Sequence, residues 1–113
     1  MAIDLETVVA AAKAIAAEYP DRRNPHNDTA MCQYVEEDGS PSCIIGHIAF
    51  RLGWPLPAYG SRQNRSGVFG AGFDNGRGAS PALLFLGDVQ NRADDDKTWR
   101  EAVSVALDLW DLA

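Results

Sequence analysis

No apolar run in this sequence approaches the roughly 20 residues that a bilayer-spanning helix needs, so a helical membrane protein is not expected. The opening Met-Ala-Ile-Asp-Leu-Glu lacks the basic start and long apolar stretch of a secretory signal, which makes a cytoplasmic location the expectation. Cysteine is scarce too. Two thiols in 113 residues build no disulfide scaffold, and a reducing cytosol keeps them free, although a Cys32–Cys43 bridge could span the turn between them. Positive charge is also in short supply: ten Lys and Arg stand against sixteen Asp and Glu, a net charge of −6. Phosphate binding draws on an excess of cations, so nucleic acid is not an expected partner. The acidity reads first as solubility, with a surface for a basic partner, or a mimic of nucleic acid, as the sharper alternative.

What is present suits one domain, residues 1–113, with one core: 46% of residues are hydrophobic and 23% charged. The pattern predicts a predominantly helical α+β fold. About four helices pack around a central buried helix, with one short β-strand or hairpin and a long glycine-rich loop. Residues 4–19 space Leu5, Val8, Val9, Ala12, Ile15, Ala16 and Tyr19 along one helical face. Asp4 stands at the N-cap, and Pro20 ends the segment. Residues 20–30 read as a polar connection in which Arg22, Arg23, His26 and Asp28 are free to meet an anion or a partner.

Residues 31–36 alternate modestly and predict a short strand, followed by a turn through Asp38-Gly39. Ser40 and Pro41 have the chemistry of an N-cap and first helical residue, which places a second helix over 41–52 with Gly53 as its stop. That helix is apolar on nearly every face, as a buried one is. Gly46 within it costs about 1 kcal/mol relative to Ala, and a close approach by Tyr34 or a later helix would explain it. Residues 54–79 form an extended arm and then the loop, which carries six glycines and three arginines over 60–78. Loops of this length in compact domains are functional or disordered. Ser80-Pro81 repeats the helix-start device for a third helix to about Arg92, and 93–96 is a break. A last helix covers about 97–112, with Thr98 and Glu101 at capping-box spacing.

Two constellations carry chemistry. Cys43 and His47 stand four apart on one helical face, the ingredients of a cysteine nucleophile and its base in a thiol-dependent enzyme; a structural thiol on an apolar helix is the commoner arrangement. His26, Cys32, Cys43 and His47 together are soft enough for zinc, but their spacing lacks the close cysteine pair of zinc knuckles. The glycines at 67, 70 and 72 are followed by neither a helix start nor a P-loop lysine, so no nucleotide site and no cofactor are expected. The favoured reading is a non-enzymatic protein-interaction module. Arg62, Arg65, Phe69, Phe73 and Arg77 provide its contact, since aromatics and arginine dominate interface hot spots. Self-association through Trp54, Phe69, Phe73 or Trp110 is a further expectation.

The pattern from Cys32-Gln-Tyr34 through Gly39-Ser-Pro-Ser-Cys43-Ile-Ile-Gly46-His47 resembles that of small uncharacterised proteins of actinobacteria and their phages. Gln90 and Trp99-Arg-Glu-Ala102-Val103 extend the likeness loosely. The resemblance implies a setting rather than an activity. That setting is a bacterial or phage cytoplasm, with a mycobacteriophage-like accessory protein as one form, and a host protein bound or inhibited as the outcome.

Overall fold

The structure, a computed structural model, describes residues 4–24, 34–59 and 81–112. Within them lie four helices: α1 (Leu5–Glu18), α2 (Ile44–Arg51), α3 (Pro81–Asp94) and α4 (Trp99–Leu109). α1 packs against each of the other three, and α3 packs against α2 and α4. Helices of this size bury one face each, and here the buried faces form one hydrophobic cluster.

Local chemistry explains most of the helix ends. At α1, Asp4 Oδ1 accepts from the Thr7 N–H at 2.7 Å, and Val8, Ala11, Ala12, Ile15 and Ala16 make the buried stripe. α4 opens with a reciprocal capping box. The Glu101 N–H donates to Thr98 Oγ1 at 3.2 Å, and the Thr98 N–H donates to Glu101 Oε1 at 3.0 Å. α2 closes as anticipated at Gly53, which turns left-handed at φ +76°. Trp54 N–H then reaches Ala49 O at 2.9 Å, and Gly53 N–H reaches Phe50 O at 3.1 Å, the paired bonds of a Schellman stop. The same pair ends α4 through Asp111, at φ +56°, with Leu112 N–H on Leu107 O at 2.8 Å. This left-handed Asp111 shortens the helix from the expected 112 to Leu109. α3 begins at Pro81, as the proline predicts, and runs to Asp94 rather than Arg92.

The region around 34–43 corrects the sequence reading twice. No strand forms among the described residues; what stands in its place is a single antiparallel bridge between Val35 and Pro41. The Ser42 N–H donates to Tyr34 O at 2.9 Å and the Glu36 N–H to Ser40 O at 2.7 Å, closing a turn with Gly39 at φ +89°. Pro41 has no N–H to extend the ladder, so pairing stops there. Because residues 40–42 are engaged in this turn, Ser40-Pro41 does not open α2. Cys43 is the N-cap instead, extended at φ −82° and ψ 173°, and its sulfur accepts from the Gly46 N–H at 3.5 Å.

α2 is the interior helix. Every residue from Ile44 to Ala49 is buried, whereas Phe50, expected inside with them, is 63% exposed. Ile44, Ile45 and Ile48 join Phe85, Leu86 and Trp99 among the largest fully enclosed side chains, each worth about 1.5–3 kcal/mol of apolar burial. Phe85 also meets Trp110 edge-on at 5.6 Å between ring centroids. Gly46 is where the turn lies on the helix: a Cβ there would overlap the carbonyl oxygen of Tyr34 and stand 3.1 Å from its carbonyl carbon. That oxygen belongs to backbone already bonded to Ser42, so it has little room to retreat. Gly46→Ala is therefore expected to destabilise the fold by at least about 2 kcal/mol, despite Ala's higher helix propensity, as read from the midpoint of urea unfolding.

Candidate functional site

Tyr19 through Asn24 leave α1 and run between the N-termini of α2 and α4, where they act as a bracket rather than a solvated connection. Asn24 is buried at 9% exposure, and its Oδ1 accepts twice: from the Ile44 N–H at 3.0 Å and from the Trp99 indole N–H at 2.9 Å. Its amide donates to Asp94 Oδ1 at 2.8 Å. One side chain thereby caps α2, fixes the largest core residue and holds the end of α3. Backbone carbonyls of the same segment cap the start of α4, with Trp99 N–H on Arg22 O at 2.7 Å and Arg100 N–H on Pro20 O at 3.3 Å. Helix starts leave such donors unpaired unless something external meets them. Arg23 reinforces the bracket through the carbonyl of Asp96 and an exposed ion pair with its carboxylate at 3.7 Å.

Beside Asn24 lies an aromatic cluster. His47 meets Tyr19 at 5.2 Å and Trp99 at 5.0 Å between ring centroids, both edge-on, and Tyr19 meets Trp99 at 6.0 Å. The Arg22 guanidinium stands 4.9 Å from the Trp99 ring centroid and 5.6 Å from that of Tyr19, within cation–π reach of both, and donates to Ser42 O at 3.4 Å. The His47 ring bonds the Pro41 backbone, while its Nε2 is buried with no hydrogen-bond partner among the described residues. Burial, followed by the nearby charge of Arg22, holds its pKa below the ordinary imidazole value; the Pro41 bond and the carboxylates of Glu18 and Glu36 oppose this. Outward from the cluster is a groove of about 220 Å³ bordered by Ile15, Tyr19, His47 and the exposed Phe50, with Glu18 and Arg51 paired at 3.9 Å along it.

Of the residues singled out from sequence, Cys43, His47, Arg22 and Arg23 fall in this region, the two arginines bonded within the fold to Ser42 and Asp96. Cys43 is 1% exposed, and its thiol serves as the helix cap. His26, Cys32, Arg62, Arg65, Phe69, Phe73 and Arg77 lie outside the described residues. Among those described, no three His, Cys, Asp or Glu side chains gather where they could hold a metal ion. Trp110, a candidate for self-association, is half-buried against Phe85. Sequence reasoning passed over Asn24 and Arg22 as organisers. The local signal was slight: an Asn before a proline, in a stretch with no apolar residue to suggest burial.

The arrangement defines a small helical protein with a buried polar bracket and an enclosed imidazole, and no helix of the described residues is long and apolar enough to cross a membrane. No protein-family model, no curated protein and no solved structure matches the chain.

Two measurements check this geometry. Asn24→Ala strands the Ile44 N–H and the Trp99 indole N–H in the interior, and is expected to lower stability by about 3 kcal/mol. Exposed Asn91→Ala should stay within about 0.5 kcal/mol in the same urea titration. In a Cys32→Ser background, Cys43 should react with iodoacetamide far more slowly in the native protein than in denaturant, because an enclosed thiol must wait for the fold to open.

Proposed function

We propose that the chain is a non-enzymatic protein-interaction module. The observation that carries this reading is the position of Cys43: the one described thiol is enclosed and committed to capping α2, so the residues with catalytic potential serve packing. A buried, structurally engaged cysteine is the usual inert kind, whereas catalytic thiols sit partly exposed in electropositive surroundings. The described helices form a compact frame, with Phe50 and Leu109 each more than 60% exposed on it. Segment 60–78 supplies the composition of a contact surface, with Arg62, Arg65, Phe69, Phe73 and Arg77 as its anchors. The partner is a protein. In the cytoplasmic, phage-borne setting that the sequence resemblance implies, it is a host protein that becomes inhibited or diverted.

Affinity capture from a bacterial lysate tests this reading, with a variant lacking residues 62–77 alongside the full chain and far-ultraviolet circular dichroism to confirm that both are helical. The expected outcome is a protein retained by the full chain and lost by the deletion. Retention of every captured protein by the deletion would remove the anchor assignment. Absence of any specific capture would remove the interaction role.

A further inference from the structure

Most histidines that titrate near neutrality face water on at least one ring nitrogen. His47 is 8% exposed and is held edge-on between Tyr19, the C-cap of α1, and Trp99 of α4, with Nε2 sealed from solvent and lacking any hydrogen-bond partner among the described residues. The same two rings carry the Arg22 guanidinium, a permanent charge in contact with the cluster. We propose that this cluster is an acid-sensitive latch: protonation of His47 adds a second cation beside Arg22, gives the ring an N–H with no acceptor, and loosens α2 from α1 and α4.

The charges facing the ring fix the direction. From the end of α1 comes Glu18, and from its C-cap the phenol ring of Tyr19. The connection after α1 brings Arg22, the 36–40 turn brings Glu36, and α2 itself brings Arg51. The two carboxylates would welcome an imidazolium, but both are engaged elsewhere: Glu18 pairs with Arg51 at 3.9 Å and Glu36 accepts from Ser42 Oγ at 3.1 Å. α4 offers the uncharged indole of Trp99. Desolvation and Arg22 therefore prevail, and folding lowers the affinity of the ring for a proton. The unfolded chain takes up the proton as pH falls through the ordinary value of 6.5, so stability is complete above that value and declines below it until the folded form protonates as well. The carboxylates that gain from folding act lower on the scale. Asp4, Asp38 and Glu101 are held below the usual carboxylate range by hydrogen bonds to Thr7, Ser40 and Thr98, so their loss begins only in stronger acid. The latch rests on packing within the described core and is independent of the interaction role proposed above.

The test is urea unfolding of the full chain from about pH 7.5 to about pH 5, followed by tryptophan fluorescence, for the wild type, His47→Phe and His26→Gln. The wild type and His26→Gln are expected to show an unfolding constant that rises as pH drops below 6.5, approaching about tenfold per pH unit, the limit for one proton. His47→Phe should be nearly flat over that range. A flat wild type, or a His47→Phe slope equal to it, overturns the proposal. Should His47→Phe fail to fold, the imidazole resonances of folded His26→Gln decide: titration below 6.5 supports the latch, and titration at or above 6.5 overturns it.

Discussion

A single side-chain amide ties the ends of three helices together, just past the end of the fourth. Asn24 Oδ1 takes one bond from the first N–H of α2 and another from the indole of Trp99, at the start of α4, while its NH₂ group reaches Asp94 at the end of α3. Buried polar groups of this kind stabilise only when every member is satisfied, and all three of these bonds have ordinary lengths. The connection that carries Asn24 also supplies the Arg22 and Pro20 carbonyls to α4. Its apparent polarity is thus the complement of helix ends that would otherwise be unpaired. The apolar burial around it is larger in total. Burial is non-directional, however, and these directed bonds determine which helix end meets which.

The contact between Gly46 and the Tyr34 carbonyl is the second directed constraint. It brings the 34–42 turn onto α2 so closely that no side chain fits between them. With residues 40–42 taken into the turn, the helix starts three residues later than the Ser-Pro pair suggests, and the cap falls to a sulfur, a weaker acceptor than a serine oxygen. Asn24 makes up part of the deficit by bonding Ile44 from outside the helix.

These constraints bear on function through what they leave over. Cys43 is committed to its cap, and His47 is wedged between two aromatic rings under the influence of Arg22. A pair that reads as nucleophile and base in one dimension becomes a cap and a packing element in three. On the proposed latch, protonation of His47 couples the core to acidity. On the interaction role proposed above, recognition of a partner falls to exposed side chains such as Phe50 and to the arginine- and phenylalanine-bearing stretch from 60 to 78.

The sequence by itself determined the elements whose signals act within a turn or two of chain. The Asp4 cap and the Thr98–Glu101 box are bonds between residues three apart, and the Gly53 stop and Pro81 start depend on one residue's own backbone geometry. Even the crowding at Gly46 was legible, because a glycine inside an apolar helix calls for a close neighbour. Tertiary structure alone decided where α2 begins, that Phe50 faces out, and that the 20–24 connection is a bracket. The physical reason is distance along the chain: Asn24 meets Ile44 20 residues away, Asp94 at 70 and Trp99 at 75. No local pattern encodes partners so remote. They exist only once packing has brought the three helix ends together around one amide.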